Sequence, residues 1–94
     1  MLFRFGSIGS RDIAIDLGTA NTLVYVPGQG IVIDEPSVVA VEVSGGVRHV
    51  RAVGSDAKIL IGKTPDNITT YRPLTDGVIN NLESAEEMIN YFIQ

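Results

Sequence analysis

Asp16-Leu17-Gly18-Thr19-Ala20-Asn21-Thr22 places a carboxylate, a glycine and two hydroxyls within seven residues, and that set has the chemistry of a metal–polyphosphate site. Glycine has no Cβ, so the amides that follow it, those of Thr19, Ala20 and Asn21, can approach an anion closely. The hydroxyls of Thr19 and Thr22 add further donors. Asp16 would sit beside the same anion, which is unfavourable unless a cation lies between them, so its natural role is to hold hydrated magnesium. The ligand implied is a metal nucleotide. A Walker A loop is excluded, because no Gly-Lys-Ser/Thr follows and the turn leads into Leu23-Val24-Tyr25-Val26, an apolar alternation, rather than into a helix. These residues alone leave open an ordinary hairpin turn with a solvated aspartate.

The elements that must position this turn are strands. Ile13, Ile15 and Leu17 alternate as a half-buried strand does, with Asp16 near its end. Leu23 to Val26 forms a second strand, and Pro27-Gly28-Gln29-Gly30 reverses the chain into a third, Ile31-Val32-Ile33. Residues 13 to 33 therefore read as a three-stranded antiparallel meander whose first connection is the phosphate turn. Asp34-Glu35-Pro36 is expected to interrupt pairing, since proline lacks the amide donor, before Ser37 to Val43 resumes as a strand. Ser44-Gly45-Gly46 reverses it into a partly exposed partner, Val47 to Val53.

A short helix is expected around Ala57 to Ile61, capped by Ser55 or Asp56 and stopped by Gly62. Thr64 to Gly77 reads as irregular, with a short extended piece at Ile68 to Tyr71. Ser84 and Glu87 have capping-box spacing, and Ala85, Met88, Ile89, Phe92 and Ile93 share one helical face. With neither a basic residue nor a glycine or asparagine terminator before Gln94, this helix is expected to continue past the last residue. The pattern is α/β, opening with a meander rather than a Rossmann unit.

Composition narrows the function classes. At 94 residues the chain forms at most one domain, and 45% hydrophobic against 19% charged residues indicates a packed chain. The net charge of −4 and seven scattered basic residues provide no nucleic-acid footprint. With no cysteine, disulfides and thiolate metal sites are excluded. His49 has no acidic or metal-binding companion at useful spacing and reads as surface, as does Lys63. No apolar run reaches the roughly 20 residues of a membrane-spanning helix. Leu2, Phe3 and Phe5 around Arg4 could instead dip into a bilayer interface, the alternative being a terminus that frays or tucks onto the core.

Several runs in order resemble the N-terminal part of the MreB/Mbl family, the bacterial actin-like rod shape-determining proteins of the actin, Hsp70 and sugar kinase superfamily. Asp16 to Thr22, Gly30-Ile31-Val32, Glu35 to Ala40, Ala52-Val53-Gly54, Gly62 to Pro65, Arg72-Pro73-Leu74, Asp76 to Ile79 and Ala85 to Ile89 carry the resemblance. An Hsp70- or sugar-kinase-like ATPase would share Asp16 to Thr19 without the Glu35 to Ala40 and Arg72 to Ile79 runs, and a further alternative is a truncated fragment that binds no nucleotide, since half a cleft encloses only part of a ligand. The resemblance implies a partial actin-like ATPase fold over residues 1–94, with nucleotide bound between two lobes. It also implies membrane-associated filaments that govern rod shape and guide peptidoglycan synthesis.

Carried onto this sequence, Gly18, Thr19, Ala20 and Asn21 form the first phosphate loop for ATP, and Asp16 lies near magnesium. Residues 34 to 80 largely build a small subdomain that contributes to protofilament contacts. Residues 1–10, with Leu2, Phe3 and Phe5, resemble a membrane-targeting segment. The partners implied are further copies of the chain, the inner face of the cytoplasmic membrane and the cell-wall elongation machinery, and the location is cytoplasmic and peripheral. Family members are several times longer, and their second phosphate loop and hydrolytic residues lie beyond the position of Gln94, so hydrolysis is expected only of a complete chain. Ile79-Asn80-Asn81-Leu82 departs from the family, which usually has an alanine and an acidic residue there.

Overall fold

The computed structural model describes residues 2–8, 11–63 and 67–93, with the backbone alone at residues 2–8, 11 and 12. Its first sheet has four antiparallel strands in sequence order, β1 (Leu2–Ile8), β2 (Arg11–Leu17), β3 (Asn21–Val26) and β4 (Gly30–Pro36). The expected meander is thus present with a strand added before it. The backbone of β1 pairs with β2, placing Leu2 opposite Asp16 and Phe5 opposite Ile13, so β2 is hydrogen-bonded on both sides. The side chains of Leu2, Phe3 and Phe5 lie outside the described residues.

Strand β4 corrects one expectation, because pairing continues through the Asp34-Glu35-Pro36 segment. Asp34 lies opposite Leu23, Glu35 opposite Thr22 and Pro36 opposite Asn21. Strand β4 is an edge strand, and proline at its last residue sacrifices no ladder bond within the sheet.

A second sheet has the order β6-β5-β7, from β5 (Val39–Ser44), β6 (Val47–Val53) and β7 (Ile68–Tyr71). Central β5 alternates between two cores. Val39 and Val41 join Ile15, Leu17, Val24, Val53, Leu74, Met88 and Phe92, while Ala40, with neighbouring Val38, packs against Ala57. Between β6 and β7 stands α1 (Ser55–Ile59), whose N-cap is Gly54 rather than Ser55 or Asp56. The Ser55 amide donates instead to Glu35 Oε1 at 2.9 Å. Gly54 has φ of +74°, and a Cβ there would lie 2.1 Å from that same carboxylate oxygen, so glycine lets β4 dock against α1.

The segment expected to be irregular contains a small hairpin, β8 (Leu74–Thr75) and β9 (Val78–Ile79). Asp76 and Gly77 turn it with φ of 52° and 76°, the two positive angles of a type I′ hairpin turn. Helix α2 (Leu82–Phe92) follows. Its cap is Asn81, whose side chain accepts from the Ser84 amide at 2.9 Å, so the expected Ser84 capping box is not formed. Ser84 sits inside the first turn, fully buried, and among the described residues its hydroxyl has no hydrogen-bond partner. The expected apolar face is present, with Ala85, Met88 and Phe92 buried and Ile89 and Ile93 packed beside them.

Arg48 on β6 fastens this helix to the second sheet. Its Nη2 lies 2.7 Å from Glu87 Oε1, a second contact reaches Glu83, and its guanidinium lies 5.5 Å from the Tyr71 ring centroid. The hydrogen bond to Glu87 is the main reason the guanidinium is held above its ordinary pKa.

Candidate functional site

Residues 18–20 connect β2 to β3, which begins at Asn21, at the end where Ile15 and Leu17 anchor β2 in the core. Asp16, of opposite parity on the strand, is exposed. The Gly18 amide donates to the Asn21 carbonyl at 3.0 Å, a contraction only glycine allows: a Cβ on residue 18 would stand 2.5 Å from that oxygen. Thr19, Ala20 and Asn21 are exposed. Among the described residues the Thr19 and Ala20 amides donate no hydrogen bond. They therefore present donors of the kind a polyphosphate requires.

The two hydroxyls differ in role. Thr19 Oγ1 accepts from the Gly77 amide at 2.7 Å, which ties the β8–β9 turn to this loop and leaves the hydroxyl proton available for donation. Thr22 is fully buried and its Oγ1 lies 2.8 Å from Ser37 Oγ, so it belongs to the core side of the turn and offers nothing to an anion. This corrects the expectation that both hydroxyls line the site. Asn21 is held at its side chain, where Nδ2 donates to Asp34 Oδ1 at 3.0 Å.

Ser37 is the residue that sequence reasoning missed. Its hydroxyl donates to the Gly18 carbonyl at 2.6 Å and its amide to the Ala20 carbonyl at 2.9 Å. It is buried beneath the turn. A serine immediately after Pro36 at the start of an apolar run is the signal the sequence offers, and by pattern it reads as the beginning of a strand.

His49 and Lys63 are both exposed, as expected of surface residues. No group of three or more acidic or histidine side chains converges among the described residues, so a cation here would rest on Asp16 with water completing its shell. The turn is exposed to solvent. A shallow groove lined by Val50, Glu87, Asn90 and Tyr91 shares no residue with it.

The family model for the MreB/Mbl proteins matches residues 10–94. The chain belongs to the MreB/Mbl family. It is 54% identical over 97 residues to the cell shape-determining protein MreB of Pasteurella multocida, covering all of this chain and 28% of that protein. It is likewise 54% identical over 84 residues to the cell shape-determining protein Mbl of Bacillus subtilis, covering 89% of this chain and 25% of that one. The chain thus spans about a quarter of the length of the curated relatives it matches. Among solved structures, MreB 5 of Spiroplasma citri bound to AMPPNP superposes with a TM-score of 0.75 at 40% identity, over 85% of this chain and 23% of that one. The ADP-bound form of MreB5 gives 0.73. The four-stranded sheet, the second sheet and α2 are therefore part of an actin-like MreB fold.

Proposed function

We propose that this chain supplies one wall of a magnesium–ATP site in a bacterial actin-like cytoskeletal protein. The observation that carries the reading is the Gly18–Asn21 turn, contracted around a glycine that tolerates no Cβ and exposing the Thr19 and Ala20 amides just beyond Asp16. The donor set fits the group: main-chain N–H groups of Thr19, Ala20 and Asn21 and the Thr19 hydroxyl would hold phosphate oxygens, and Asp16 would hold magnesium through water. When bound, the ion neutralises phosphate charge. The similarity to an MreB bound to AMPPNP supports the same reading.

In this proposal the complete protein binds ATP across two lobes, polymerises, and lies on the inner face of the cytoplasmic membrane, where its filaments govern rod shape and guide the cell-wall elongation machinery. Membership of a family of cell shape-determining proteins supports the cellular role. Residues 1–10, with Leu2, Phe3 and Phe5, provide the membrane contact, and residues 34 to 80 form the small subdomain. Two measurements on the complete protein test these points. Electron microscopy should show filaments with ATP that are lost in Thr19→Ala, and unaltered filaments would contradict the link between turn and assembly. Co-sedimentation with anionic liposomes should fall when residues 1–6 are removed, and equal binding would refute the membrane assignment.

A further inference from the structure

We propose that Ser37 is the positioning residue of this site, holding the two peptide units that aim the phosphate-facing amides. The inference rests on the nucleotide reading above and names what keeps its amides in place. A peptide unit is planar and, among the described residues, trans, so its C=O and N–H point in opposite directions. The Gly18 carbonyl shares its unit with the Thr19 amide, and the Ala20 carbonyl shares its unit with the Asn21 amide. Ser37 takes both carbonyls, one by its hydroxyl at 2.6 Å and one by its main-chain amide at 2.9 Å. The Thr19 and Asn21 amides must then point away from Ser37.

A second consequence concerns the turn's own closure. In an ordinary two-residue hairpin turn the Asn21 amide would donate back to the Gly18 carbonyl. Among the described residues that bond is absent, and the carbonyl accepts from Ser37 instead. Ser37 thereby competes with the turn for its own acceptor and withholds the Asn21 amide from internal use.

Proton counting orders the network beneath. Each hydroxyl carries one proton. Ser37 spends its proton on Gly18, so across the 2.8 Å Ser37–Thr22 contact Thr22 must be the donor, and the Met88 sulfur at 3.8 Å is left as a packing neighbour. Donation therefore runs from Thr22 to Ser37 to Gly18, polarising each hydroxyl toward the turn. Both side chains are fully buried, so the geometry is not shared with solvent. Thr22 acts one step farther from the amides than Ser37 and should matter less.

The test compares Ser37→Ala, the near-isosteric but weakly donating Ser37→Cys, and Thr22→Val in the complete protein. Titration with magnesium–ATP should give about tenfold weaker binding for Ser37→Ala, a loss of similar size for Ser37→Cys, and less than about threefold for Thr22→Val. The amide proton resonance of Thr19, followed without nucleotide, should move upfield in both Ser37 variants. Should Ser37→Ala fail to fold, Ser37→Cys decides. ATP binding at the wild-type level by Ser37→Cys, an unmoved Thr19 resonance, or a Thr22→Val loss equal to that of the Ser37 variants would overturn the assignment while leaving the nucleotide site standing. Absence of ATP binding in the unsubstituted protein, with the Thr19 resonance still responding, would overturn the nucleotide reading and with it the role of Ser37 in that site.

Discussion

Replacing Gly18 by alanine places a methyl carbon 2.5 Å from the Asn21 carbonyl oxygen, where ordinary contact begins near 3.4 Å. The obstacle is backbone, so it cannot rotate away as a side chain would. Relief requires the Asn21 carbonyl to move by several tenths of an ångström, which breaks the 3.0 Å bond from the Gly18 amide. The lost hydrogen bond costs about 1 kcal/mol and the residual strain about 1–3 kcal/mol more, for roughly 2–4 kcal/mol in all. Part of that strain is relieved only by opening the turn, which disperses the amides of Thr19 to Asn21. At about 1.4 kcal/mol per decade, the lower figure sets a ceiling of about thirtyfold on the loss of ATP affinity, reached if the whole cost falls on the geometry that binds phosphate. Gly28→Ala is the control, since Gly28 has φ of +87° but nothing within 4 Å of the added carbon. It should cost about 1 kcal/mol of stability and leave ATP affinity unchanged. Calorimetric titration and chemical denaturation of both variants decide the matter. A Gly18→Ala protein with wild-type affinity and wild-type denaturation midpoint would refute the close-turn argument.

Other outcomes follow from the packing around the turn. Asn81→Ala should destabilise by about 1 kcal/mol through loss of the α2 cap, whereas Ser84→Ala should be neutral or stabilising, because its buried hydroxyl bonds nothing; denaturation midpoints compare them. Arg48→Met should cost about 1–2 kcal/mol by releasing α2 from β6, while Glu83→Ala, whose partner contact is largely exposed, should stay within about 0.5 kcal/mol in the same assay. Hydrogen bonds from Arg51, the stronger influence, and from Asn67 hold the Glu42 carboxyl below its ordinary 4.5. Its contribution to stability is therefore fully present above that pH and is lost as pH falls through the depressed value, so Glu42→Gln should flatten the acid limb of a stability-against-pH curve.

What could be read from the chain was what depends on local periodicity. Ile13, Ile15 and Leu17 alternate against a buried face, and Ala85, Met88 and Phe92 recur at helical spacing, so β2 and the core face of α2 were legible before any contact was known. The sequence marks Gly18 as the glycine of the turn, but that its missing Cβ makes room for the Asn21 carbonyl shows only in the fold. Elements that depend on distant partners were not legible. Strand β1 is recognised by its pairing to β2, and Pro36 stays in a strand only because β4 lies at an edge. The first amide of α1, that of Ser55, is satisfied by the Glu35 carboxylate, twenty residues earlier in the chain. The Asp76-Gly77 turn carried a usable hairpin signal but sits between two strands of two residues each, too short to show alternation. Ser37 and Thr22 are the instructive failures. Buried hydroxyls look in sequence like solvent-facing ones, and only the fold reveals that one braces the turn and the other braces the brace.

Magnesium–ATP binding by Asp16 and the Gly18–Asn21 turn is tested most directly by the ATP affinity of the complete protein with and without magnesium, in the wild type and in Asp16→Ala. The wild type should bind more tightly when magnesium is present, and Asp16→Ala should lose most of that difference while retaining the weaker metal-free binding to the turn amides. An Asp16→Ala protein with the full magnesium-dependent gain in affinity would contradict the assignment.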